Sequence, residues 1–411
     1  MGPESESRVV LGHSVPVSRR WTALYALVWF GFWMANLVPL QLLLPQQLAT
    51  IDPVSKVADF AVVNGVSGLV ALLALPLCGA LCDRSRSRFG RRRLWLTAGV
   101  VVFAAGLVAT GAQTTVSGVD AAWAVSMVGL SAATAGLTAV IADRVPENQR
   151  GMISSAIYGP QALGVVVGIA VISVFDLSTA SGFTLIAALL LVCTAPYLLG
   201  HRDVDSTEAP LSVGKVVVSM GRSLANREFA WAFGGRLLVN LANSLGVCYT
   251  LYFLTDALKV PDPAGALLLC TVAYLLAGLL ATAVTGVLSD RLGRRRIFVA
   301  LTASLQAASG FLLATSPTLP VTVVASALMG GGFGAYMAVD QALITQVLPD
   351  AESRAQDLGI MNIGSVVPTA LAPLIASLFI TGGQGYPVLF TLVGVTAAVG
   401  ALLVYRIRSV R

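Results

Sequence analysis

The chain has 411 residues, of which 56% are hydrophobic and only 11% are charged, and its formal net charge at pH 7 is +6. Soluble globular domains carry about 25% charged residues, so this composition excludes a soluble enzyme or binding domain. It indicates an integral membrane protein, in agreement with the mean hydropathy of +0.82.

Twelve apolar runs are each long enough to cross a bilayer, which takes about 20 residues in a helix. The predicted spans are 22–44, 60–82, 94–112, 119–142, 152–174, 180–199, 229–253, 264–288, 296–316, 319–345, 358–380 and 385–405. The runs are continuous, whereas the strands of a membrane barrel alternate polar and apolar residues. The sequence therefore predicts an all-α integral membrane protein with twelve transmembrane helices.

The polar segments define the expected domain organisation. Residues 1–20 lack the features of a signal peptide, so we expect a cytoplasmic tail and a first helix that is retained. Residues 200–228 form the long polar connection in the middle of the chain. We expect them to be a cytoplasmic interdomain loop between two six-helix halves, 21–199 and 229–405, with 406–411 as a second cytoplasmic tail.

The basic residues predict the orientation of the spans. With the N-terminus in the cytoplasm, all but three of the 26 Lys and Arg residues face the cytoplasm. The exceptions are Lys56 and Lys259 outside and Arg236 within a span. This bias follows the positive-inside rule, so we expect a multi-pass plasma-membrane protein with both termini in the cytoplasm.

A loop after helix 2 recurs after helix 8. The first copy, GALCDRSRSRFGRRR, begins at Gly79, and the second, GVLSDRLGRRR, begins 207 positions later at Gly286. The tetrapeptides PQAL (160–163) and PTAL (368–371) repeat at nearly the same offset. These matches predict two homologous halves, and the two glycines are expected to allow close approach of neighbouring helices.

Helices 1 and 7 carry equivalent stripes of side chains inside their spans, where polar groups are costly and therefore informative. The stripe of helix 1 is Trp29, Trp33 and Asn36. The stripe of helix 7, at the same offset, is Arg236, Asn240 and Asn243. We predict that both stripes bind substrate. The alternatives are helix packing or an interfacial belt for the tryptophans and interhelical hydrogen bonds for helix 7.

Helix 10 contains Asp340, a carboxylate well inside a predicted span, with Tyr336 one turn earlier. Such a carboxylate either loads and releases a proton or has a structural role. The structural role is a permanent ion pair, for which Arg236 is the expected partner, or a cap near the inner end of the helix. A glycine run precedes it, namely Gly330, Gly331, Gly332 and Gly334. These glycines allow either a bend in the helix or close packing of a neighbour.

Metal, cofactor and enzyme functions find no support in the sequence. The five cysteines fall within predicted spans without histidine partners, and His13 and His201 lie outside the spans. No nucleophile is paired with a base, and we expect no metal, no cofactor and no enzymatic activity. Apart from Phe89, the arginines after helix 2 lack the aromatic partners of a nucleic-acid site.

Taken together, the twelve helices, the repeat and the two loops resemble the major facilitator superfamily of secondary transporters. The resemblance implies two pseudo-symmetric six-helix bundles with helices 1, 4, 7 and 10 around a central cavity. It also implies gate residues in the repeated loop, namely Gly79, Asp83, Arg84, Gly286, Asp290 and Arg291. The longer first copy resembles that of glycoside-pentoside-hexuronide and sucrose-type symporters and actinobacterial relatives.

The expected function is secondary active transport of a small organic solute by alternating access, coupled to protons or another ion through Asp340. We favour export of a metabolite or drug-like compound, because the candidate site is rich in aromatic residues and poor in charge. Uptake of a sugar or glycoside is the alternative, and a non-transporting sensor or scaffold is a remote one. We expect a monomer whose remaining loop arginines contact anionic lipid headgroups.

Overall fold

The computed structural model describes residues 17–85, 87, 90–146, 149–200, 226–292, 295–347, 354–381 and 385–406. Within these residues twelve long helical segments follow one another and no strand is formed. The first six are α1 (Arg19–Ile51), α2 (Lys56–Arg84), α3 (Arg91–Gly111), α4 (Val116–Arg144), α5 (Arg150–Val174) and α6 (Thr179–Gly200). The others are α7 (Arg227–Cys248, continued by Thr250–Ala257), α8 (Pro263–Leu292), α9 (Arg295–Thr315), α10 (Leu319–Val347), α11 (Arg354–Thr381) and α12 (Gly385–Tyr405).

Each of the twelve predicted spans coincides with one of these helices, so the all-α prediction is confirmed. Ten of the helices are long and apolar enough to cross a membrane, and the bent α7 makes an eleventh. The apolar part of α5 is shorter, Gly159–Val174.

The first helix of each half is longer and less regular than predicted. The first contains a π-helical turn at Pro39–Leu43 and continues to Ile51. The second, α7, bends by 41° after Cys248 and ends in a π-helical turn at Phe253–Ala257. π-Helical turns often lie at functional sites. Both of these turns lie towards the end of the bundle away from the repeated loops.

Helices pack mainly with others of the same half. The principal contacts between halves are made by α2 with α11 and by α5 with α8. Helices α3, α6, α9 and α12 have their principal neighbours within their own halves. Residues 201–225 of the expected interdomain loop lie outside the described residues, so the domain boundaries stay a prediction.

The glycine run of α10 serves close packing. A Cβ added at Gly330 would collide with the carbonyl of Tyr274 on α8, and one at Gly332 would come within 2.7 Å of the carbonyl of Thr302 on α9. The helix itself continues without a break. Of the two uses that the sequence left open, the structure therefore shows packing.

Gly79 differs from its expected role as a point of close helix approach. A Cβ added there would meet no atom within 4 Å, so the α2 surface at Gly79 is open in this conformation. No close approach is made at Gly79 in this state, in which α2 meets the other half near Gly65 and Gly68, and the role of Gly79 in the gate stays a prediction. The surroundings of Gly286 lie outside the described residues.

Candidate functional site

A buried ion pair joins α7 to α10. Arg236 donates from Nη1 to Oδ2 of Asp340, and the two side chains are only 4% and 3% exposed. Tyr336, one turn earlier on α10, donates from its hydroxyl to Oδ1 of Asp340 over 2.6 Å. Each carboxylate oxygen therefore accepts a hydrogen bond from a buried donor.

The guanidinium group also reaches α11. Arg236 donates from Nε to the hydroxyl of Ser365 over 2.9 Å, and Asn240 donates to the backbone carbonyl of Arg236 over 2.8 Å. Charged groups inside a helical bundle must be paired and hydrogen-bonded to be tolerated. The network meets that requirement with side chains from three helices, of which Ser365 was not predicted; its polarity inside a span was the available signal.

Asn243 makes a different contact from its neighbours on the stripe. Its side-chain oxygen accepts a hydrogen bond of 2.9 Å from the hydroxyl of Tyr274 on α8. The alternative prediction of interhelical hydrogen bonding therefore describes Asn243 in this conformation, whereas Asn240 bonds to its own helix. The substrate-binding role of this stripe stays a prediction.

The aromatic stripe of α1 lies within a cluster of rings. Trp29 is buried and its ring lies 5.9 Å from that of Trp33 and 6.0 Å from that of Phe32, measured between centroids. Trp33 is half-buried and donates from its indole nitrogen to the carbonyl of Ile157 over 2.8 Å, and Asn36 is also half-buried. These contacts lie within the first half, so a pairing with the α7 stripe stays a prediction.

An ion pair joins the two halves at the end away from the repeated loops, which is the predicted extracellular end. Nζ of Lys56, at the start of α2, lies 2.6 Å from Oδ1 of Asp256 on α7, and Tyr386 donates to the other oxygen over 3.3 Å. The hydroxyl of Tyr252 lies 3.1 Å from the carbonyl of Pro45 and 3.3 Å from that of Lys56. These contacts tie the outer part of α7 to α1 and α2.

Aromatic rings fill the space beneath this ion pair. Phe60 of α2 packs edge-on against Tyr249 and Tyr252, with centroid distances of 5.4 and 5.8 Å. The buried hydroxyl of Tyr249 lies 3.1 Å from the carbonyl of Val57 and 2.9 Å from that of Pro373. We call this group the outer seal: Lys56, Phe60, Tyr249, Tyr252 and Asp256. The conformation is therefore closed at the predicted extracellular end.

The repeated loops end the helices at the other side of the molecule. Arg84 and Arg291 are exposed at the ends of α2 and α8. The side chains of the other predicted gate residues of these loops lie outside the described residues: Asp83, Gly286 and Asp290. Arg92 departs from the expected contact with lipid headgroups, because it is buried and donates to Sγ of Cys82 over 3.4 Å.

Comparison with known proteins agrees with this architecture. The sequence model of the family described as Major Facilitator Superfamily matches residues 21–268 and 240–411. A search of curated proteins finds no match. Among solved structures, the chain is similar to a POT family transporter in complex with a thioalcohol conjugated peptide, with a TM-score of 0.73 and 14% identity over 93% of this chain and 95% of that chain.

A second solved structure, a POT family transporter in complex with 5-aminolevulinic acid, gives a TM-score of 0.71 and 15% identity over the same shares of the two chains. At this low sequence identity, the similarity concerns the fold alone. The predicted twelve-helix fold is thereby confirmed.

Proposed function

The chain belongs to the major facilitator superfamily, and from that premise we propose that it moves a small organic solute across the plasma membrane by proton-coupled alternating access. It is a multi-pass membrane protein with the fold of a secondary transporter. The ligands named for the two similar structures, a peptide conjugate and 5-aminolevulinic acid, are small organic solutes and support this class of substrate. The proposal includes cytoplasmic termini and no enzymatic activity.

The buried ion pair between Arg236 and Asp340 carries the proposal. Removing two charges from water is costly, and such pairs contribute little net stability, so a pair inside a membrane bundle points to function. A proton on Asp340 would cancel its attraction for Arg236 and alter the contact between α7 and α10. We therefore assign proton coupling to Asp340 and solute binding to the stripes of α1 and α7.

The outer seal supports the alternating-access part of the proposal. It joins α2 and α1 to α7 while Arg84 and Arg291 at the opposite end are exposed. In the opposite conformation the seal would open, and the repeated loops with Asp83 and Asp290 would clamp the cytoplasmic ends together. The two halves would rock about a site near the middle of the membrane.

The direction of transport is a further part of the proposal. The ring cluster around Trp29 and Trp33 favours export of a metabolite or drug-like compound, with sugar or glycoside uptake as the alternative. Compound resistance on overexpression would support export, and saturable sugar accumulation in intact cells would support uptake. A sensor or scaffold would show neither.

Vesicles containing the purified protein test the role of Asp340. A panel of small solutes is offered with and without an imposed proton gradient, and Asp340→Asn is compared with Asp262→Asn, a matched change at an exposed carboxylate in an outer loop. We expect Asp340→Asn to lose gradient-driven accumulation but keep exchange of solute for solute. Intact gradient-driven transport with unchanged pH dependence in Asp340→Asn would contradict the proposal.

A further inference from the structure

The hydroxyl of Tyr249 lies between the two halves of the molecule. Its oxygen is 3.1 Å from the carbonyl oxygen of Val57 on α2, in the first half, and 2.9 Å from that of Pro373 on α11, in the second half. A tyrosine hydroxyl carries a single hydrogen, so it can make a full hydrogen bond to one of these carbonyls at a time. Tyr249 is 2% exposed, and a buried hydroxyl that loses its acceptor is costly. With two acceptors in place, one can be given up without leaving this hydroxyl unpaired.

Tyr252, three residues further along α7, makes a contrasting contact. The carbonyls that accept from its hydroxyl are those of Pro45 and Lys56, and both belong to the first half. Separation of the halves at the outer seal would therefore remove these acceptors from Tyr252. The same movement would leave Tyr249 with the carbonyl of Pro373, which belongs to its own half.

Tyr249 also lies at the bend of α7. The helix turns by 41° between Cys248 and the segment Thr250–Ala257, which we call the outer arm. Beyond such a bend, the direction of a helix depends on its contacts with neighbouring helices. The carbonyls next to the Tyr249 hydroxyl belong to α2 and α11, so this residue can join the outer arm to either helix.

Buried rings pack the outer arm against its own half. Phe253 is 2% exposed, and its ring centroid lies 4.8 Å from that of Phe390 and 5.4 Å from that of Tyr386, both on α12. Towards the first half, the arm presents an ion pair and a tyrosine hydroxyl, which water can replace, and a ring contact with Phe60. The packing therefore favours an arm that stays with the second half when the seal opens.

Resting on the alternating access proposed above, we propose that the hydroxyl of Tyr249 changes acceptor when the seal opens. It is shared between Val57 and Pro373 in the closed seal and donates to Pro373 in the open one, and so it keeps the outer arm attached to α11 in both conformations. Opening then costs no hydrogen bond at Tyr249. The contacts that hold the halves together are instead the hydroxyl of Tyr252 and the ion pair of Lys56.

Three spin-label positions, used in pairs, test which half the outer arm follows. They are Val54→Cys in the first half, Ala257→Cys at the end of the outer arm and Leu378→Cys on α11, all exposed, in a protein whose native cysteines are replaced by serine. The 54–378 distance reports whether the seal is open, and Lys56→Gln is expected to enlarge the open population. In that population the 54–257 distance should lengthen and the 257–378 distance should not change.

The opposite result would overturn the inference. If the 257–378 distance lengthens on opening while the 54–257 distance stays constant, the outer arm remains with the first half and leaves α11. These measurements keep Tyr249 itself unchanged, so a folding defect in a Tyr249 variant would not protect the inference.

A series of Tyr→Phe variants tests the hydroxyl itself. Tyr252→Phe should raise the ratio of open to closed molecules about fivefold, the effect of about one neutral hydrogen bond. Tyr386→Phe is the matched control, because the hydroxyl of Tyr386 bonds within the second half, and it should not raise this ratio. Tyr249→Phe should resemble the control in this ratio, but it should broaden the distribution of distances between labels at Ala257→Cys and Leu378→Cys. An increase in the ratio as large as that of Tyr252→Phe, or an unchanged distribution, would contradict the inference.

Failure of this inference and failure of the proposed function are distinguishable. If all three distances are the same in the unsubstituted seal and in Lys56→Gln, and vesicles show no solute transport, alternating access is refuted. If the seal opens and solute is transported, but the outer arm follows the first half, the role of Tyr249 is refuted and alternating access stands.

Discussion

Breaking the ion pair of the outer seal should shift the protein towards an outward-open state. The side chains of Lys56 and Asp256 are 16% and 32% exposed, so the pair lies between the surface and the interior. Exposed pairs contribute about 0.2–1 kcal/mol. The 2.6 Å separation and the position of the ammonium 5.3 Å from the centroid of Tyr252 place this pair at the upper end. Lys56→Gln should therefore cost the closed state about 1 kcal/mol, or about fivefold in the ratio of closed to open molecules.

Distances between spin labels on opposite halves measure this shift. Labels attached at Val54→Cys, in the loop between α1 and α2, and at Pro261→Cys, in the loop between α7 and α8, report the separation of the outer ends. Val54 is 94% exposed and Pro261 is also exposed, so both accept a label. The five native cysteines are first replaced by serine. Lys56→Gln should enlarge the population at long distance.

The matched control is Lys259→Gln, which removes the same charge from the same side of the molecule at an exposed residue. It should leave the distance distribution unchanged. Tyr252→Phe should act like Lys56→Gln, because it removes the hydroxyl between the halves, worth about 1 kcal/mol, while keeping the ring. Equal distributions for Lys56→Gln and Lys259→Gln would refute the assignment of this pair as a seal.

Three further predictions concern stability and pH. Gly330→Ala should lower the free energy of unfolding by about 1–3 kcal/mol through overpacking against α8, whereas Gly331→Ala, whose added Cβ would meet its nearest atom at 3.8 Å, should be neutral in thermal unfolding. Arg236→Gln or Asp340→Asn alone should cost about 3–5 kcal/mol, and the double variant should cost less than either; a double variant with the summed loss would contradict pairing. The hydrogen bond from the backbone amide of Ser55 is the main reason that the pKa of the Asp52 carboxyl lies below its ordinary value. This contribution to stability is present at neutral pH and lost only as the pH falls through the lowered pKa, so Asp52→Asn should leave the pH profile of transport unchanged near neutrality.

The sequence predicts the helices well because their signal is local. An apolar run of sufficient length has to be a helix in a bilayer, and every predicted span coincides with one. The ends of α1 and α7 were predicted too short, since the chain remains helical beyond the apolar run as far as Ile51 and Ala257. The extension of α7 contacts the other half through Tyr252 and Asp256, and that of α1 contacts α3 through Gln47; a local pattern contains neither kind of contact.

The candidate site was predicted in part for the same reason. An arginine and a carboxylate inside spans predict an ion pair between them, because neither charge is tolerated unpaired there. Arg236 and Asp340 do form that pair. The outer seal was missed because Lys56 and Asp256 lie at span ends, where charged residues are ordinary. Their contact joins positions 200 residues apart, and no spacing in the sequence marks it.

Helix α7 connects the buried ion pair of Arg236 to the outer seal. Arg236 and Asp256 lie on the same helical segment, separated by 20 residues or about 30 Å of helix, with the 41° bend between them. The inner part of α7 therefore carries the ion pair with Asp340, and its outer part ends at the outer seal. The rigidity of the bend near Tyr249 then determines how strongly protonation of Asp340 affects the seal. A more flexible bend would give a protein that binds its solute but couples transport poorly to the proton.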